Sequence, residues 1–132
     1  MMKILAALFL GVLFLSSFDQ SKTLAGKWIY AGDIFNGKKE GGPADYILQR
    51  KYNDTSFTAY VIQKGYKTEE YETGNYSLTT DTCLEAQTWC SQPSKLLNIV
   101  VHYHYSFNKD TLVLNGILPD GALVEEYWKR VK

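Results

Sequence analysis

The sequence has few of the residues on which enzymes and metal proteins most often depend. It contains two cysteines, two histidines and three prolines, and no Gly-x-Ser-x-Gly motif surrounds a candidate nucleophile. The histidines, His102 and His104, stand two residues apart with no obvious third metal ligand near them in the sequence. We therefore predict a protein that is not an enzyme and has no cofactor or metal, and a metal ion held by the histidine pair is the alternative.

The sequence also lacks an excess of charge of one sign and a long apolar run. Fourteen basic residues balance fourteen acidic ones, which argues against nucleic acid and anionic membrane surfaces as partners. The apolar run from Ile4 to Leu15 has about 12 residues, too few to span a bilayer comfortably. Lys3 precedes this run and Ser16 follows it, which is typical of a secretory signal peptide. We expect an exported protein with a signal peptide over residues 1–18, and a retained membrane anchor is the alternative.

The remaining residues, 19–132, show no helical periodicity and are rich in aromatic side chains. Ten tyrosines, three phenylalanines and three tryptophans in these residues favour β-strands, and short runs of strand composition alternate with turn signals. Strands are predicted at residues 24–31, 44–52, 56–64, 69–80, 96–107, 111–118 and 122–131. A polar loop is predicted over 33–43, and residues 81–95 are expected to hold at most one short strand. Short hairpin connections between seven or eight antiparallel strands predict one all-β domain that closes as an up-and-down barrel.

Alternation within the predicted strands indicates which side chains face the barrel interior. In residues 99–107 the odd positions are apolar and are expected inside, whereas His102 and His104 are expected outside. The last strand has no clean apolar face, because Glu126 and Trp128 alternate with Glu125 and other charged or polar residues. This pattern leaves its orientation open and suggests a polar or wet interior. The inward odd positions are Ile99, Val101, Tyr103, Tyr105 and Phe107.

The two cysteines stand close together in the sequence. Cys83 and Cys90 are separated by six residues and have no neighbouring metal-binding pattern. In an exported protein, a disulfide between them is the leading interpretation.

Several motifs resemble those of the calycins, the superfamily of lipocalins and fatty-acid-binding proteins. Leu24-x-Gly26-x-Trp28 resembles the Gly-x-Trp signature of the first calycin strand. The stretch from Glu125 to Val131 is similar to the last strand of small exported lipocalin-like domains from gut bacteria. Gly74-x-Tyr76-x-Leu78 and Asp110-Thr-Leu112-x-Leu114 lie between them in the same order. The resemblance implies a lipocalin-like barrel, located in a bacterial periplasm or secreted.

The resemblance also implies structural roles for three residues. Trp28 would plug the closed end of the barrel, and Arg130 from the last strand would lie across its ring. Gly26 would let the backbone pass close to this plug, because a Cβ atom would crowd it. The alternative for Trp28 is a direct contact with a ligand.

A barrel of eight strands can enclose one small ligand, so a small hydrophobic or amphipathic molecule is the expected partner. The alternative is a filled barrel whose outer surface binds a protein or a glycan, through scattered tyrosines such as Tyr46 and Tyr66. The predicted ligand-binding residues are Tyr30, Tyr76, Tyr103, Tyr105, Phe107, Glu126 and Trp128.

Overall fold

The computed structural model describes residues 23–132 as a closed antiparallel β-barrel. The predicted signal peptide, residues 1–18, lies outside the described residues. Consecutive strands are hydrogen-bonded neighbours, and pairing of the first strand with the last closes an eight-stranded barrel to which β2 is added. The strands are β1 (Gly26–Phe35), β2 (Lys38–Gly41), β3 (Ile47–Tyr52), β4 (Ser56–Ile62), β5 (Glu69–Leu78), β6 (Thr82–Cys90), β7 (Val100–Asn108), β8 (Thr111–Ile117) and β9 (Leu123–Arg130).

The predicted all-β, up-and-down barrel is therefore confirmed, and the fold resembles a lipocalin-like barrel. The inner face of β7 also follows the predicted alternation at its centre, where Val101, Tyr103 and Tyr105 are buried. The alternation fails at both ends of this segment, because Ile99 and Phe107 are 39% and 49% exposed. Over residues 23–132, no helix has the length and apolar character needed to cross a membrane.

Two segments differ from the prediction. The expected loop over 33–43 is instead the end of β1 and the short strand β2, which pairs with β1 through residues 32–35. All four residues of β2 are exposed, so no alternation of apolar and polar residues marks this strand in the sequence. The segment over 81–95 contains β6, a full strand whose inward positions include Glu85 and Gln87 instead of apolar side chains.

The predicted disulfide is wrong in this structure, where both cysteines are free. Cys83 and Cys90 stand at opposite ends of the same extended strand, β6. At about 3.3 Å per residue they are roughly 20 Å apart, whereas a disulfide needs Cα atoms within about 7 Å. Sequence separation suggested a short loop, but an extended strand places its ends too far apart to bond.

We expect two free thiols in the folded protein, with very different reactivity. Cys83 is fully buried, and burial, followed by the nearby Glu85, raises the pKa of its thiol to about 12. Titration with a thiol reagent should therefore detect Cys90 in the native protein and both cysteines only after denaturation without reductant. A melting temperature that falls when reductant is added would contradict this assignment.

Candidate functional site

Trp28 is completely buried near the start of β1, and we call the end of the barrel around it the plugged end. Its side chain has no exposed surface, and its indole Nε1 donates a 2.9 Å hydrogen bond to the backbone oxygen of Leu24. The Arg130 guanidinium carbon lies 4.2 Å from the centre of the Trp28 ring. Gly26 has a φ of +129°, and a Cβ atom there would lie 3.1 Å from Arg130 Nη1. Glycine at this position therefore allows the close approach of Arg130 to the plug.

Three of the predicted ligand-binding residues belong to the packing around this plug. The Tyr76 hydroxyl donates to the Asn53 backbone oxygen at 2.5 Å and accepts from the Leu24 amide at 2.9 Å. The Tyr105 hydroxyl donates to the backbone oxygen of Thr79 at 2.8 Å. The Phe107 ring stacks on Trp28 with centroids 6.1 Å apart. In the structure these side chains tie loops and strand ends together at the plugged end.

The centre of the barrel contains a buried arginine that the sequence analysis did not identify. Arg50 on β3 is 6% exposed, and its guanidinium nitrogens bond three side chains. Nη1 donates to the Tyr52 hydroxyl at 2.8 Å and to Glu85 Oε1 at 2.7 Å, and Nη2 donates to Glu72 Oε1 at 3.1 Å. Glu72 and Glu85 are themselves almost completely buried, so this is an interior ion-pair network.

Two aromatic rings pack against the arginine. Its guanidinium carbon lies 4.4 Å from the centre of the Phe57 ring and 4.8 Å from that of Trp128. A planar guanidinium stacks well on aromatic faces, which is one reason why arginine suits a buried site better than lysine. Arg50, Phe57 and Trp128 therefore form a packed layer in the barrel interior, which we call the arginine layer.

The hydrogen-bond network of Arg50 continues from the arginine layer to the loop between β6 and β7. Gln87 Nε2 donates to Glu72 Oε2, and the Gln87 side-chain oxygen contacts the Ser94 hydroxyl. Ser94 Oγ in turn accepts the Leu96 amide at 3.1 Å. Leu96 packs against the core beside Leu118. The two leucines line a cavity of about 340 Å³ together with Lys95, Pro119 and Asp120.

The other four predicted ligand-binding residues come together on the inner side of β1, β7 and β9, away from the plug. Tyr30 and Trp128 are paired across β1 and β9, with ring centroids 5.3 Å apart. Trp128 Nε1 donates to Glu126 Oε1 at 3.0 Å, and Tyr103 is buried on β7. Directly opposite Glu126 on β1 is Asp33. We call the half-buried residues Tyr30, Asp33, Tyr71 and Glu126 the mouth of the barrel.

Carboxylates outnumber cations inside the barrel. Arg50 is the one arginine in the network, while Glu72, Glu85 and Glu126 are all near it. Burial raises the pKa of Glu85 to about 7, although Arg50 opposes the shift. Burial also raises the pKa of Glu126, again with opposition from Arg50. Burial, followed by contact with Asp33, raises the pKa of Tyr30 above its usual range. The interior therefore favours protons or positive charge over further anions.

The outer surface has a second notable feature. A groove of about 720 Å³ runs over the outside of β7, β8 and β9, where Val100, Ile117 and Leu123 are 53%, 64% and 56% exposed. His102 and His104 border this groove and point outward. No group of three His, Cys, Asp or Glu side chains suited to a metal ion occurs in the described part of the chain.

No protein-family model matches this chain, and no curated protein matches it. The functional argument therefore depends on the geometry of the barrel and its side chains.

Proposed function

We propose that this chain is an exported, non-enzymatic binding protein of the calycin type, which takes a small, partly apolar ligand at the mouth of its barrel. The observation that carries the proposal is the contrast between the two ends. The plugged end uses its polar atoms internally, whereas the mouth has half-buried aromatic and carboxylate groups. Aromatic walls with a few placed polar groups are the usual composition of a small-molecule site.

The charges at the mouth favour one ligand chemistry. Within residues 23–132, neither Asp33 nor Glu126 forms a salt bridge, and the buried Arg50 is already bonded to Glu72 and Glu85. A positively charged or hydrogen-donating ligand group would complement these carboxylates, and the half-buried ring of Tyr30 would suit an alkylammonium group. An anionic ligand would be repelled by the same groups.

The proposal can be tested by native mass spectrometry of the protein purified without denaturation from its own host. We expect a discrete additional mass that disappears on denaturation. The purified protein should then be titrated with decyltrimethylammonium and with decanoate, each in monomeric form, while tryptophan fluorescence is recorded. Stronger binding of the cation is expected, with its signal lost in Trp128→Phe and kept in the control Trp89→Phe.

The proposal would be contradicted if native mass spectrometry showed the mass of the protein alone and neither probe bound. In that case the second candidate function is docking of a protein or glycan on the outside of a filled barrel. The outer groove bordered by Val100, Ile117 and Leu123 favours this function. Exposed aromatic side chains such as Tyr66, at 73% exposure, are compatible with stacking on sugars.

A further inference from the structure

Two carboxylates face each other across the seam between β1 and β9. Asp33 and Glu126 are register partners in this antiparallel pair, which places their side chains on the same face of the sheet. Glu126 shares the inner face with Trp128, two residues further along β9. The Cβ atoms of such partners lie about 5 Å apart, and like charges in this position destabilise the pairing.

A β-bulge places Asp33 in this position. The register of β1 against β9 shifts between Tyr30 and Gly32. Regular alternation would place Asp33 on the opposite face from Tyr30, but the extra residue at the bulge places both on the inner face. Gly32 has a φ of +117°, and a Cβ atom there would lie 2.5 Å from the Glu40 backbone oxygen. The local backbone therefore requires glycine at position 32, and this backbone conformation places Asp33 opposite Glu126.

The hydrogen bonds of this pair are incomplete. Asp33 Oδ1 is buried and has no hydrogen-bond partner, and a buried acceptor without a donor is unfavourable. Glu126 accepts one hydrogen bond from Trp128 through Oε1. If Glu126 carries a proton, its second oxygen can donate to Asp33 Oδ1. One proton would then supply the missing donor and remove the repulsion between the two carboxylates.

The groups around the pair compensate its charge only in part. The Tyr30 hydroxyl interacts with Asp33, and the charge of Arg50 opposes the rise in the pKa of Glu126. Arg50 is the nearest cation of the network, and it bonds Glu72 and Glu85 instead of either mouth carboxylate. Burial raises the pKa of Glu126. The titratable and charged groups that face the pair from the surrounding strands are Tyr30 and Glu40 on the β1–β2 hairpin, Arg50 on β3, Tyr71 and Glu72 on β5, Glu85 on β6, and Tyr103 on β7.

We infer that Glu126 carries a proton that it donates to Asp33, and that this hydrogen bond holds the β1–β9 seam together at the mouth. Loss of the proton as pH rises leaves two opposed charges in the seam. Residues 32–35 of β1 pair with β9 on one side and with β2 on the other, and β2 pairs with β1 alone. Weakening of the seam therefore loosens the β1–β2 hairpin, so that the mouth is more closed at low pH and more open at high pH.

The test is hydrogen–deuterium exchange of the mature protein between pH 5.5 and 8.5, corrected for the intrinsic pH dependence of exchange. We expect peptides covering residues 30–41 to lose protection with rising pH, by up to about tenfold per pH unit where the proton is released. Glu126→Gln should remove this dependence, because its amide nitrogen can donate to Asp33 at every pH. Asp33→Asn, whose amide can donate to Glu126, is a second variant for the case in which the first does not fold.

Glu125→Gln is the matched control. It changes the neighbouring residue on the same strand, whose carboxylate accepts from the Tyr127 hydroxyl at 2.7 Å and is not the register partner of Asp33. It should keep the pH dependence of the wild-type hairpin. The inference would be overturned if protection were independent of pH in the wild-type protein, or if Glu126→Gln kept the wild-type dependence. An ordinary glutamate pKa for Glu126, measured by NMR titration of its side-chain carboxyl carbon, would also overturn it.

Discussion

Replacement of Trp28 by alanine is expected to lower the free energy of unfolding by about 3–5 kcal/mol. Trp28 is completely buried, so its truncation leaves a cavity at the plugged end. The substitution also removes the hydrogen bond to Leu24 and the stacking with Phe107. Urea denaturation followed by circular dichroism measures the change.

Trp89→Ala provides the matched control, because Trp89 is 45% exposed on β6. Its loss should be much smaller, since most large effects of single substitutions come from buried side chains. Arg130 is itself exposed, so its contact with the Trp28 ring contributes only about 0.5–1 kcal/mol of the total. A loss below about 1 kcal/mol in Trp28→Ala would contradict the role of Trp28 as a structural plug.

Removal of the buried cation should have an effect of similar size. We expect Arg50→Met to lower the free energy of unfolding by about 3–5 kcal/mol at pH 8, because Glu72 and Glu85 would remain buried without their partner. Methionine keeps much of the apolar volume between the rings of Phe57 and Trp128. Lys51→Met, at the exposed neighbouring position of β3, is the control and should change stability by less than about 0.5 kcal/mol.

The pH dependence of this loss distinguishes electrostatics from packing. The pKa of Glu85 is about 7 in the folded protein and ordinary in the unfolded chain, so folding takes up a proton between about pH 4.5 and 7. Wild-type stability contributed by this group therefore falls as pH rises through that window. In Arg50→Met the opposing cation is gone, so we expect a larger loss at pH 8 than at pH 5.

Rescue supplies the second check on Arg50. Adding Glu85→Gln and Glu72→Gln to Arg50→Met should restore a large part of the lost stability, because both uncompensated charges are removed. If Arg50→Met has wild-type stability at pH 8, or if its loss is the same at pH 5 and pH 8, the network does not stabilise the barrel through its charges.

The class of the fold could be predicted because several local signals agree. Turn residues divide the chain into short aromatic runs, and apolar alternation in β7 placed Val101, Tyr103 and Tyr105 on the inner face. These signals depend on neighbours within a few positions, so they are present in the chain before it folds. The same signals failed for β6, because its inner face carries Glu85 and Gln87.

The sites depended on contacts that no local pattern contains. Arg50 is separated from Glu72 by 22 positions and from Glu85 by 35, and only closure of the barrel makes this arginine a buried cation. Asp33 became the partner of Glu126 through a bulge in β1 and the pairing of the first strand with the last. The expected disulfide failed for the same reason, because distance in space depends on whether the intervening residues form a loop or a strand.

The sequence by itself therefore determined the all-β class, the strand-rich segments and the inner face of β7, since alternation and turn chemistry act over a few residues. The tertiary structure alone decided which polar side chains meet inside the barrel. Burial of a charge is stable only when its partners arrive from other strands, and the register of those strands is set by closure of the whole sheet.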